Sequence, residues 1–316
     1  MILSVSRRTD IPAFFGEWFI NRLISGNVMV RNPMNSNQIT SIPLSPKNID
    51  CIVFWTKDPT NFLQYLDHID RMGYKYYFLF TINPYDKEIE ENVDFKKNII
   101  TTFKTLSNKI GKEKVIWRYD PIILTSKYNL KYHSKWYEYL AKSLSGYTQE
   151  CVISFLDQYE KIRNNIKDLN ILNPNRFAIE QISERLSNIS HTYGINISTC
   201  AHDFELQKYN INHSKCIDDK LIEKIIGEKI KVRKDSAQRK ECGCVESRDI
   251  GLYNSCQHYC KYCYANCSIK SVENNIKNYD PDSPLLCDLL RGNESITVYK
   301  KSKSLKISKV LQQELI

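Results

Sequence analysis

The chain has 316 residues, 42% of them apolar and 26% charged, with a formal charge of +9 and eleven cysteines. That apolar share excludes a wholly disordered chain, and the length allows one large α/β domain or two smaller ones. No stretch approaches the roughly eighteen apolar residues of a membrane helix, and Arg7, Arg8, Asp10, Glu17 and Arg22 interrupt the first thirty positions, so neither a span nor a secretion signal is expected.

The predicted elements begin with a short apolar strand, Ile2–Ser6. A helix over Asp10–Leu23 follows: Asp10 suits the cap, Pro12 the first turn, and Phe14, Phe15, Trp18, Phe19 and Leu23 an apolar face. Val28–Arg31 and Ile39–Pro43 flank an Asn/Pro-rich turn too short for a parallel crossover, which predicts an antiparallel hairpin inserted at about 28–45. Further buried strands are expected at Cys51–Thr56, Tyr76–Ile82, Val115–Tyr119, Cys151–Leu156, Ile195–Thr199 and Ile250–Tyr253. Helix-like patterns fill most of the gaps; in Pro59–Met72, Phe62, Leu63, Leu66, Ile69 and Met72 recur at helical spacing before Gly73. The alternation predicts an α/β fold, a TIM-like full or partial barrel over 1–292, followed by a lysine-rich tail, 293–316.

In such a fold the chemistry lies at the C-terminal ends of the strands. The residues expected there are Arg7, Arg8 and Asp10, then Thr56, Lys57 and Asp58, then Asn83, Arg118, Asp120, Asp157, Cys200, His202 and Asp203. Lys57, Arg118 and Asp120 are candidates for orienting an anionic substrate or for closing ion pairs. His202-Asp203 is a candidate proton carrier or a polar strand end. Aromatics such as Tyr76, Tyr77, Phe78 and Phe80 sit in an expected strand and read as core.

An odd cysteine count, with six thiols between Cys242 and Cys267, points away from a secreted disulfide framework and toward metal binding in a reducing cytoplasm. Cys256, Cys260 and Cys263 fall at the spacing C-x3-C-x2-C. Three thiolates on one tight loop suit three corners of a 4Fe–4S cube and leave the fourth iron open to a small molecule. Zinc modules usually use C-x2-C pairs, which this triplet fits poorly. His258 lies inside the loop, as a tuning group or as loop surface.

This motif, with Tyr262-Cys263-Tyr264, resembles that of the radical S-adenosylmethionine (SAM) superfamily. The resemblance implies SAM on the open iron, reductive cleavage of SAM to a 5′-deoxyadenosyl radical, and a reductant such as a flavodoxin or ferredoxin. In most of that superfamily the cysteine loop follows the first barrel strand; here it follows the last expected one, which implies a circularly permuted core. Ile2–Ser6 then takes the place of the second strand, whose end commonly carries a glycine-rich SAM contact. This chain has Ser6-Arg7-Arg8-Thr9-Asp10 instead. Arg7 or Arg8 could hold a carboxylate and Asp10 an ammonium, with Tyr262 beside the cluster, or Asp10 is only a helix cap. The whole arrangement resembles a family catalogued as domain of unknown function 1848. The marks are Ser4-Val5-Ser6-Arg7-Arg8-Thr9-Asp10-Ile11-Pro12, Val53-Phe54-Trp55-Thr56-Lys57, Arg118-Tyr119-Asp120-Pro121 and the run from Cys242-Gly243-Cys244 to Ala265-Asn266.

Cys200, Cys216, Cys242 and Cys244 form a second set, enough for zinc or a second iron–sulfur cluster, or else buried thiols. Cys51, Cys151 and Cys287 read as core, and Cys267 as a spare ligand or a helix-facing thiol. The expected function is a cytoplasmic radical-SAM-like enzyme acting on an unknown substrate. The alternative is an iron–sulfur or zinc protein that binds nucleic acid without SAM chemistry, and a third reading joins the two. The positive charge alone does not choose, because lysines are spread over the chain.

Overall fold

A computed structural model describes residues 1–157, 159–202, 204–300 and 304–306. The strands are β1 (Ile2–Val5), β2 (Asn27–Asn32), β3 (Asn35–Pro43), β4 (Cys51–Thr56), β5 (Tyr76–Thr81), β6 (Val115–Ile122), β7 (Glu150–Phe155), β8 (Asn196–Thr199), β9 (Asn212–His213), β10 (Arg248–Asp249) and β11 (Ser295–Val298). The α-helices are α1 (Ile11–Phe14), α2 (Gly16–Ser25), α3 (Leu66–Arg71), α4 (Lys96–Ile110), α5 (Leu130–Leu144), α6 (Arg163–Ile166), α7 (Arg176–Thr192), α8 (Asp219–Ile226) and α9 (Ile269–Ile276).

Among the described residues, eight strands form one parallel sheet in the order β10-β1-β4-β5-β6-β7-β8-β9. From β1 to β9 spatial order follows chain order, and β10 returns to lie beside β1. Parallel neighbours need crossovers, and right-handed crossovers taken in one direction put their helices on one face. Helices α4, α5 and α7 share one apolar core with alternate strand residues such as Phe54, Phe78, Trp117 and Ile153. Trp117 stacks on Tyr137 of α5 at 4.9 Å, and Phe54 stacks on Phe78 at 4.6 Å. Each such side chain contributes roughly 1.5–3 kcal/mol by leaving water. The other face packs Ile2, Val53, Tyr77, Leu79 and Val152 against α8 and the loops around Cys216 and Cys244. Among the described residues no helix is long and apolar enough to cross a membrane.

β2 and β3 pair antiparallel, and β11 adds to β3 in parallel, so residues 295–298 join the hairpin in a second sheet. The rest of the tail from 307 lies outside the described residues.

Three expected elements differ. The helix over Asp10–Leu23 is two helices, because Phe15 leaves helical geometry at φ −133° and fills the core between them. Pro59–Met72 begins as a 3-10 turn over Thr60–Tyr65 and becomes α-helical only in α3. Ile250–Tyr253 is not a strand. Pairing stops at Asp249, whose carboxylate accepts the Gly251 N–H at 3.0 Å and turns the chain toward the cysteine loop.

Candidate functional site

The C-terminal ends of β1, β4, β5, β6, β7 and β8 open into one cavity of about 520 Å³. Its wall includes Arg7, Arg8, Asp10, Lys57, Arg118 and Asp120. Both sets of cysteines also line it: Cys256, Cys260 and Cys263, and Cys200, Cys216, Cys242 and Cys244. Residues from widely separated stretches of chain therefore meet at one mouth, as expected where parallel strands end together.

The cysteine loop is clasped from two sides. The segment after β5 meets it along its edge: Lys261 N–H donates to Ile89 O at 3.0 Å, and Asn92 N–H to His258 O at 3.1 Å. Asn266 closes the loop, its Nδ2 donating to Cys256 O at 2.7 Å. Tyr259 and Asn254 adopt positive φ, of 51° and 56°, where the loop doubles back. Cys256 and Cys260 are buried and Cys263 is half-buried; burial pushes all three thiols up in pKa. A desolvated thiolate needs a compensating cation, and a metal centre supplies one. Cys267 is exposed and does not line the cavity.

Asp10 unites several of the expected site groups. Oδ1 accepts from Ala13 N–H at 3.0 Å and caps α1, while Oδ2 accepts from Lys57 N–H at 2.7 Å and His258 Nε2 at 2.8 Å. Because a carboxylate only accepts, His258 carries a proton on Nε2, and its buried Nδ1 has no hydrogen-bond partner. Asp10 is thus a helix cap and also fixes the histidine between Cys256 and Cys260.

Behind Cys260 lies Glu90. Its Oε1 accepts from Lys57 Nζ at 2.7 Å and Tyr262 OH at 2.5 Å, and its Oε2 from Lys96 Nζ at 2.8 Å. Asn83 Nδ2 donates to Tyr262 OH at 2.9 Å, and Lys57 lies over the Tyr262 ring at 5.4 Å. Burial alone would raise the Glu90 carboxyl, but Lys57 and Lys96 outweigh it and hold the group well below the usual carboxylate range. Burial likewise opposes the Lys57 charge, and Glu90 more than restores it.

Another part of the wall is cationic, with its arginines laid on an aromatic ring. Arg7 and Arg118 lie over Trp55, at 5.3 and 4.9 Å from its centroid. Arg118 pairs with Asp120, which outweighs burial and raises the arginine pKa. Arg7 Nη2 and Arg118 Nε are buried without hydrogen-bond partners. Unspent donors on two arginines suit an anionic guest. Arg8 lies over Tyr253 at 5.1 Å and donates to Gly251 O at 3.4 Å.

His202 is buried at the end of β8, and its Nε2 accepts the Phe155 N–H at 2.7 Å, which puts the ring proton on Nδ1. His202 is absent from the cavity wall as drawn by its lining residues, and Asp203 lies outside the described residues. Cys51, Cys151 and Cys287 are buried.

Glu90 and Asp249 carry much of this geometry without standing out in the sequence. Glu90 sits in the run Glu88-Ile89-Glu90-Glu91, which reads as a solvated acidic stretch. Its one signal is Ile89, which is buried and faces the core. Asp249 accepts from Ser4 Oγ and Ser6 Oγ, both at 2.7 Å, and from Arg7 N–H at 2.8 Å.

A family model described as Domain of unknown function (DUF1848) matches residues 2–265, from β1 through the cysteine loop. No curated protein and no solved structure matches the chain.

Proposed function

We propose that this chain, which belongs to the family Domain of unknown function (DUF1848), is a radical-SAM-like enzyme with its site in the cavity at the strand ends. The observation that carries the reading is the placement of Cys256, Cys260 and Cys263 together in that cavity, with no fourth cysteine of their loop beside them. Their chemistry fits a cluster held at three corners. In this reading the sheet is a partial, circularly permuted barrel. Its support is the sequential strand order, the placing of α4, α5 and α7 on one face and the return of β10 to the side of β1.

The three cysteines would hold a 4Fe–4S cluster, and the Arg7–Arg8 end of β1 would meet the carboxylate of SAM. When bound, the pair supplies a 5′-deoxyadenosyl radical by one-electron cleavage, the electron coming from a flavodoxin- or ferredoxin-like reductant. The chain's own part is positioning. Asp10 holds His258 and the Lys57 backbone, which keeps the cysteine loop against β4. Glu90 keeps Lys57 charged and Tyr262 fixed beside Cys260. Arg7 and Arg118, spread on Trp55, offer donors to an anionic substrate. In this reading the enzyme works in a reducing cytoplasm, which its free thiols support.

The nucleic-acid reading draws on a second cavity, of about 760 Å³, where Phe95, Tyr132, Trp136 and Tyr139 alternate with Lys87, Lys97 and Lys135. It has no cysteine in its wall, so it gives the thiols of the first cavity nothing to do.

Anaerobic reconstitution with iron and sulfide, then reduction with SAM, tests the proposal. The parent is expected to form 5′-deoxyadenosine and Cys260→Ala is not. An intact cluster in the parent with neither SAM binding by calorimetry nor SAM cleavage would sink it.

A further inference from the structure

The connection from β9 to β10 is poor in regular structure. Among the described residues it holds one helix, α8, and makes two isolated bridges, Lys234 to Val245 within it and Ile230 to Lys306 outside it. Its apolar material is slight: Ile217, Ile222, Ile230, Val245 and three cysteines form most of its buried part. Tyr77 ties it to the sheet, donating to Cys216 O at 2.7 Å and accepting from Asp218 N–H at 3.2 Å. A loop-rich segment with so small a core generally needs a disulfide or a metal to hold it.

Four thiols stand where such a staple belongs. Cys200 follows β8, Cys216 follows β9, and Cys242 and Cys244 precede β10, so the set joins three stretches of chain. The Sγ atoms of Cys200 and Cys216 are 3.4 Å apart. Cys244 is within hydrogen-bonding reach of both Cys216 and Cys242, and its sulfur accepts the Ile217 N–H at 3.3 Å. Arg7 and Arg118 lie close enough to act on their charge. All four line the cavity wall.

We propose that Cys200, Cys216, Cys242 and Cys244 form a second metal centre, in which four thiolates hold zinc or an iron–sulfur cluster and fasten residues 214–247 across the sheet. Both occupants are all-thiolate chemistry. As the side chains stand, no three His, Cys, Asp or Glu among the described residues are arranged to hold one ion. Loading therefore turns the thiols out of their mutual hydrogen bonds. Each sulfur exchanges its proton, released to solvent, for a bond to a zinc ion or to an iron of a preassembled cluster, and neither exchange changes an oxidation state. The arginines and the Ile217 N–H then face the resulting negative charge.

The test uses the full chain with Cys256→Ala, Cys260→Ala and Cys263→Ala, so that any metal retained belongs to the second set. Purified anaerobically, this variant is expected to carry zinc, marking a single ion, or iron with sulfide, marking a cluster. Adding Cys216→Ser and Cys244→Ser is expected to bring that metal to background. In case the added changes prevent folding, chelation of the triple variant is the second readout. Metal release should expose Cys200, Cys216, Cys242 and Cys244 to a thiol reagent and open residues 228–241 to protease. A triple variant that stays metal-free after incubation with zinc, or with iron and sulfide, overturns the proposal, as does a Cys200–Cys216 disulfide in the purified parent. Since the first cysteine set is absent from this experiment, its failure leaves the 5′-deoxyadenosine result untouched.

Discussion

Glu90 is the residue on which the buried electrostatics turn. It is 1% exposed, yet it holds two ammonium groups, Lys57 and Lys96, and a phenol, Tyr262. Desolvating three charges is costly, and the cost is met only while every donor keeps its acceptor. In Glu90→Gln the shape remains, but two largely buried lysines lose their counter-charge. We expect unfolding free energy to fall by about 3–5 kcal/mol, the range for breaking one side of a buried ion pair. Urea denaturation of the variant beside the parent measures it, and a difference below about 1 kcal/mol would show that water already screens the network. Tyr262 would also lose its acceptor, so local damage should appear first at the cysteine loop.

At the scale of elements, α5 shows how a buried histidine ties a helix to the sheet. His133 Nδ1 meets Tyr119 OH at 2.8 Å, and Nε2 donates to Ile123 O at 2.9 Å. Burial, the larger effect, lowers its pKa from 6.5 to about 4. The unfolded chain therefore binds a proton that the folded one refuses. The stabilisation is whole above pH 6.5 and drains as pH falls toward 4, a loss of about 3 kcal/mol in all. His133→Gln cannot titrate, so its stability should decline less between those pH values, and parallel profiles for variant and parent would refute the assignment. The sequence reading met the elements unevenly, for reasons of the same kind. Strands such as Cys51–Thr56 were legible because both faces are buried and the run is almost wholly apolar. The break at Phe15 was not, since helical periodicity continues through it. Ile250–Tyr253 looks like a strand from its apolar content, but the acceptor demand at Asp249 decides otherwise. In the site, the cysteine spacing was legible because it is local. Glu90 was not, because its partners are spread from residue 57 to residue 262.

The whole molecule depends on a junction between chain regions more than two hundred residues apart. β10 lies against β1, so the start of the chain and the entry to the cysteine loop share one wall of the cavity. Asp249 makes that junction through Ser4, Ser6, the Arg7 N–H and the Gly251 N–H, four donors facing one carboxylate. Asp249→Asn keeps the volume but turns an amide donor toward other donors, which should cost about 1.5–3 kcal/mol. Gly251 is the steric half of the same contact. A Cβ there would overlap the Ser6 side chain, and its cost is one of space rather than of a left-handed backbone. Gly251→Ala should therefore destabilise by about 1–3 kcal/mol, and by less once Ser6→Gly has emptied the space it invades. The double-mutant cycle on Gly251 and Ser6 isolates that contact, because each single change carries its own background cost. A coupling energy near zero would mean that β1 and the turn into the cysteine loop do not touch as described. A coupling of about 1 kcal/mol or more would place β1 and the turn after β10 against each other in solution. The cavity would then depend on contacts between the first ten residues and the last strand of the sheet.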